Sequence, residues 1–161
     1  MKYALFLGCN IPARVVQYET AARAVMKKLG IQLKDNRDFK CCGYPVRNLD
    51  RKAFLLSASE NLAIAEKMGL NIVALCKCCF GSLKEAEHFL KEEGELQEEI
   101  KHALSQKKLR YEGKFEVKHF LSVLYHDVGL EEIKNSISQS YKGLKIATHY
   151  GCHALRPSKV T

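Results

Sequence analysis

No apolar run in these 161 residues approaches the roughly 20 that a membrane-spanning helix needs, so a soluble protein is expected. Behind Lys2, the stretch Tyr3-Ala4-Leu5-Phe6-Leu7-Gly8 gives about six apolar positions, at or below the short end of a secretory core of roughly 7–15. It reads as a buried strand instead. A glycine-rich phosphate loop, a Ser–His–Asp arrangement and a paired-carboxylate constellation are also missing, so nothing points to those chemistries. Basic residues are scattered and no aromatic platform interleaves them, so nucleic acid is not an expected partner. The seven cysteines lack the short, loop-rich setting of a disulfide mini-protein, and an odd number cannot pair completely within one chain. A reducing cytoplasm and metal or redox chemistry are expected.

What remains is the composition of an ordinary globular protein, 47% apolar and 27% charged, of a size for one compact domain and the beginning of another. The formal charge of +8 has an ordinary explanation in a solvated basic surface. Its sharper reading is attraction for an acidic partner or an anionic substrate.

Apolar runs alternate with helical periodicity. Residues 2–8, 31–33, 70–75, 115–117 and 144–149 read as strands. Residues 13–29, 50–68, 80–91, 95–108, 117–128 and 131–138 read as helices, with Asp50 as a cap and Gly30 and Gly69 as stops. This order predicts an α/β fold: a layered, mostly parallel sheet flanked by helices. Cys9, Cys76 and Cys152 each fall at or just past the carboxyl end of an expected strand, the edge where parallel sheets bind ligands.

Five cysteines form the pattern C-x31-CC-x33-C-x-x-C: Cys9, Cys41-Cys42, Cys76 and Cys79. Packing rarely demands adjacent cysteines, and a thiolate set of this kind suits zinc or an iron–sulfur cluster. Consecutive side chains diverge, so Cys41 and Cys42 do not readily chelate one tetrahedral ion. They can bind different irons of one cluster, or one can bridge, and five thiolates exceed the four of a cubane. Zinc held by Cys76, Cys79 and one or two others is a second reading. A thioredoxin-like dithiol at Cys76–Cys79 is a third, but it leaves Cys9, Cys41 and Cys42 without a role. Buried free cysteines acting as small hydrophobes are the bland alternative. Cys78, inside the motif, reads as packing or a spare thiol.

Other candidates are weaker. His149 and His153 flank Cys152 but read rather as loop residues. His88, His102, His119 and His126 read as solvent-facing or capping residues on helices. Gly43 fits a turn of positive φ or a close approach to a bulky ligand. Tyr44, Arg14 and Lys77 stand beside the cysteines, where they could orient an anionic substrate. Residues 7–14 and 150–157 also echo each other, sharing Gly-Cys after an apolar run with Pro and Arg nearby. Such an echo would make Cys152 the first ligand of a second site.

These motifs resemble the cysteine-rich, or CCG, domain family, and the chain is similar to the N-terminal half of the B-type subunit of heterodisulfide reductase. The resemblance rests on Phe6 to Cys9 with Ile11 to Arg14, Cys41-Cys42-Gly43, Asn61 to Glu66, Cys76 to Cys79 with Gly81-Ser82-Leu83, Val117 to Phe120, and His149 to His153. It implies a noncubane [4Fe–4S] cluster held by Cys9, Cys41, Cys42, Cys76 and Cys79, with Cys152 opening a second, incomplete motif. Residues 1–143 would then be a first CCG domain and 144–161 the start of another. The implied activity is that of a disulfide-reducing oxidoreductase, acting in methanogens on the mixed disulfide of coenzyme M and coenzyme B, or elsewhere on a related anionic disulfide. The implied partners are a small iron–sulfur C subunit and a flavin-containing A subunit. Turnover is not expected of this stretch by itself. The reading from another class is a non-catalytic relay or docking module holding a structural metal such as zinc.

Overall fold

The computed structural model describes residues 1–139 and 141–149. Four strands, β1 (Lys2–Phe6), β2 (Gln32–Lys34), β3 (Ile72–Ala74) and β4 (Val117–His119), form one sheet in the order β2-β1-β3-β4. Every pairing is parallel, with Ala4 opposite both Lys34 and Ile72, and Ala74 opposite His119. Seven helices are described: α1 (Asn10–Arg14), α2 (Val16–Lys28), α3 (Arg51–Met68), α4 (Lys77–Phe89), α5 (Glu95–Gln106), α6 (Phe120–Ser122) and α7 (Leu130–Ser136). A 3₁₀ turn spans Tyr44–Val46, and a π-helical stretch, Val123–Val128, continues α6.

The central strands β1 and β3 are buried on both faces, which is why they read as nearly continuous apolar runs, whereas the edge strand β2 is largely exposed. Side chains alternate sides along each strand. Ala4, Phe6, Ile72 and Val117 face α3, α4 and α5, where Phe54, Leu55, Leu83 and Ile100 are fully buried. Tyr3, Leu5, Val73 and Leu75 face the other way, onto Ala22 and Met26 of α2 and onto Phe120 and Val123. Each such Leu- or Phe-sized side chain contributes ~1.5–3 kcal/mol on leaving water. Packing of that size outweighs weak helix starts: α4 has no side-chain cap, a feature typically worth ~1 kcal/mol. By contrast α3 is well delimited, with the Ala53 amide donating to Asp50 at 2.9 Å and Gly69 closing the helix at φ 69°.

Several expected elements shift. The helix expected over 13–29 is two, because Val15 leaves helical geometry between α1 and α2. Helix α4 begins three residues earlier than its apolar periodicity indicates, so Cys78 and Cys79 lie in its first turn. The strand expected at 115–117 sits at 117–119, and helix follows only from Phe120. The strand expected over 144–149 does not form: these residues are irregular, with Leu144 and Ile146 61% and 75% exposed. An apolar stretch becomes a strand only where an edge offers a ladder and a layer covers its face, and neither β2 nor β4 receives this one.

The order of strands locates the functional edge. From β1 the chain passes to α2 on one face, and from β3 it passes to α4 on the other. The loops leaving these adjacent parallel strands therefore diverge and open a crevice at their carboxyl ends, the topological switch point of such a sheet.

Candidate metal centre

Two of the candidate ligands enter the crevice by the same device. Leu7 and Gly8 follow strand β1, and Cys9 is the residue before α1; Leu75 follows strand β3, and Cys76 is the residue before α4. The Cys41-Cys42 pair arrives from the long connection between β2 and α3 and is turned by Gly43. Cys9 is exposed, Cys41 and Cys76 are half-buried, and Cys42 and Cys79 are buried.

The thiols converge. The Cys41 and Cys9 sulfurs are 3.8 Å apart. Cys42 and Cys76 each hydrogen-bond with the thiol of Cys79. Cys79 in turn presses on the β1 loop, where a Cβ built on Gly8 (φ 66°) would lie 2.5 Å from its sulfur. Gly43 (φ 81°) is equally constrained, since its Cβ would come within 2.7 Å of the Phe54 carbonyl oxygen. The two glycines are thus required both by their left-handed backbone and by the lack of room.

Proton affinities follow from this crowding. The Cys42 thiol is pulled down to about 6, first by the hydrogen bond with Cys79 and then, against burial, by the Tyr44 amide and the Ser82 hydroxyl. Cys76 is pulled down to about 5 by Cys79, against burial, with help from the Cys79 and Cys78 amides at the start of α4. Those amides favour the thiolate without closing a formal cap. Cys79 is pushed strongly upward because it keeps the proton shared with Cys42 and Cys76. Cys41 is raised by burial, opposed by the Gly43 amide. Metal ligands must be thiolates, so a nest that already favours two of them is disposed to bind. Among the described residues no three His, Cys, Asp or Glu side chains are arranged to hold a single ion.

Helix α3 braces the vicinal pair. Ser57 Oγ donates to the Cys41 carbonyl at 2.7 Å, and Asn61 Nδ2 donates to the same oxygen at 3.2 Å. The Lys40 amide donates back to Asn61 Oδ1 at 2.8 Å. Beside them the buried Glu60 carboxylate pairs with Lys40 at 2.8 Å and with Lys107. Burial alone would raise the Glu60 carboxyl, but the Lys107 and Lys40 ammoniums hold it below its ordinary range. In the sequence Asn61 stands out only as part of a family match. Its signal is a Glu-Asn pair opening the apolar run Leu62 to Ala65, where polar side chains are buried only with partners.

The remaining candidates separate. Cys78 does not turn away from its neighbours; its thiol contacts Cys76. Arg14 is exposed, and Tyr44 and Lys77 are half-buried. His119 is not solvent-facing but 7% exposed at the end of β4, its ring edge-on to Phe80 at 5.8 Å. It does cap, accepting the Leu121 amide at 3.3 Å. His88 bonds Glu92, and His149 lies exposed in the irregular stretch. Cys152 and His153 lie outside the described residues.

Comparisons with known proteins identify the family. The family model "CCG: Cysteine-rich domain" matches residues 3–84. A protein of Archaeoglobus profundus, named as like the B-type subunit of heterodisulfide reductase, is 38% identical over 99% of this chain and 54% of its own length. The B-type subunit of a ferredoxin/F420H2-dependent CoB-CoM heterodisulfide reductase of Methanosarcina acetivorans is 35% identical over 98% of this chain and 53% of its own. An 8-methylmenaquinol:fumarate reductase membrane anchor subunit of Wolinella succinogenes is 32% identical over 98% and 55%. The chain thus spans about half the length of these curated relatives. In fold it is similar to the crystal structure of a hypothetical protein from Helicobacter pylori, with a TM-score of 0.63 and 21% identity over 74% of this chain and 24% of the other. No described helix is long and apolar enough to cross a membrane. This chain belongs to the cysteine-rich CCG domain family, and its homologues include heterodisulfide reductase B-type subunits.

Proposed function

We propose that this chain holds a noncubane [4Fe–4S] cluster through Cys9, Cys41, Cys42, Cys76 and Cys79, as the iron–sulfur part of a heterodisulfide reductase-type enzyme. The observation that carries the reading is the convergence of thiols from three separate connections on the carboxyl edge of β1 and β3. The donor set fits the group: five soft thiols, more than tetrahedral zinc takes, crowded against glycines that leave room for no side chain of their own. A bound cluster would supply one-electron transfer and an iron accessible to a sulfur donor.

The chain's own residues have definable parts in this. Cys42 and Cys76 already favour the thiolate at neutral pH, so the protons released on loading would come chiefly from the other ligands, Cys41 and Cys79 among them. Ser57 and Asn61 fix the backbone of the vicinal pair, whose sulfurs meet different partners, Cys41 that of Cys9 and Cys42 that of Cys79. The exposure of Cys9 marks the side open to a substrate. Two electrons and two protons convert one disulfide to two thiols; the electrons would come from an iron–sulfur C subunit, with a flavin-containing A subunit completing the assembly. The substrate would be an anionic disulfide, CoM-S-S-CoB or a relative, attracted by the basic surface. Cys152 would open a second unit of the same kind, with residues 1–143 forming the first.

The relative named as a fumarate reductase anchor subunit favours a second reading, in which the same scaffold relays electrons without cleaving a disulfide. Anaerobic purification with iron and sulfide analysis tests both. About four irons with matching sulfide, and an electron paramagnetic resonance signal altered by thiol, would support disulfide chemistry. A cluster indifferent to thiols would support the relay, and one zinc without sulfide would refute the cluster.

A further inference from the structure

Ser82 lies on α4 one turn beyond Cys79, and residues three apart share a helix face. It is 3% exposed, and its Oγ has no hydrogen-bond partner of conventional geometry among the described residues. A serine inside a helix usually satisfies itself by donating to the carbonyl one turn back, and here that bond is not made. The hydroxyl lies instead against the sulfur of Cys42, itself 2% exposed and packed with Cys79 and Leu83 in one core. A buried hydroxyl that leaves its local carbonyl unused and lies beside a sulfur is placed for a charged acceptor, since a thiolate takes a far stronger hydrogen bond than a thiol.

We propose that Ser82 is a positioning residue of the metal centre, its Oγ–H donating to the Cys42 sulfur and favouring the reduced state of the bound cluster. This rests on the cluster reading above. Hydrogen bonds to ligand sulfur offset the negative charge that reduction adds, and so raise the potential.

The test is a redox titration of the anaerobically reconstituted chain, wild type against Ser82→Ala, Ser82→Val and Ser82→Thr. Ala and Val should load iron and sulfide as the wild type does, yet lower the reduced-to-oxidised ratio at fixed poise about tenfold, a shift of ~59 mV for one electron. Thr, isosteric with Val but keeping the hydroxyl, should restore the wild-type potential. Equal potentials in wild type, Ala and Val would overturn the assignment while leaving the cluster in place. A wild type that binds no iron and sulfide would remove the cluster reading, and this assignment with it. Where the variants fail to load, resonance Raman of the wild type in D2O decides. A deuterium-sensitive Fe–S(Cys) stretch supports the bond, and its absence overturns it.

Discussion

At the scale of single residues, the site depends on which atoms have room. Gly8 is the clearest case, because any side chain there meets Cys79 and the backbone is left-handed. Gly8→Ala should destabilise the fold by at least the ~1–2 kcal/mol of an alanine forced into that conformation, read as a lower denaturant midpoint. It should also reduce the iron bound on reconstitution. Cys42→Ser should abolish the cluster while Cys78→Ser spares it, measured as iron and sulfide per chain; the opposite pattern would falsify the ligand assignment. The contact of Cys78 with Cys76 makes this comparison a stringent one, because both thiols lie at the same rim.

At the scale of elements, α3 does more than cover the sheet. Its buried Asn61 ties Lys40 and Cys41 to the helix, so the vicinal pair inherits the rigidity of an 18-residue helix. Asn61→Ala would leave the Lys40 amide unpaired and deprive the Cys41 carbonyl of one donor. A loss of ~1–3 kcal/mol is expected on urea unfolding, together with weaker cluster retention. Glu60 carries a pH signature. Its folded-state affinity for the proton is below that of the unfolded chain, so its contribution is present above the unfolded value near 4.5 and is lost as pH falls through the lower, folded one. The stability gap between wild type and Glu60→Gln should therefore be open at pH 7 and shrink below pH 4.5. The sequence displayed α3 as a helix with its cap and stop, because periodicity and terminal residues are local properties. It did not display the brace, because partners 20 and 21 residues apart are joined only by packing.

At the scale of the whole molecule, stability should be graded from the centre outward. Strands β1 and β3 are flanked by strands on both sides and covered on both faces, whereas residues 144–149 are exposed and unpaired with the sheet. Hydrogen exchange followed by mass spectrometry should find the slowest amides in β1 and β3 and fast exchange over 144–149; uniform protection would contradict this architecture. The predicted last strand failed here for a reason of scale. Ile146 and Thr148 have strand-forming side chains, but a strand is a relation between segments.

The sequence by itself determined the alternation of strands and helices and the types of side chain available at each loop. It also determined the spacing of five thiols, since all of these are written in local order and composition. Tertiary structure alone decided that β1 and β3 lie side by side, so that Cys9 and Cys76 leave one crevice, and that Asn61 and Ser82 stand against the vicinal cysteines. It also buried His119, which its sequence neighbours mark as solvent-facing or capping; the cap forms, but at a buried position. The reason is physical: periodicity tells which face a side chain occupies, whereas the neighbour across that face is chosen by how whole layers fit together.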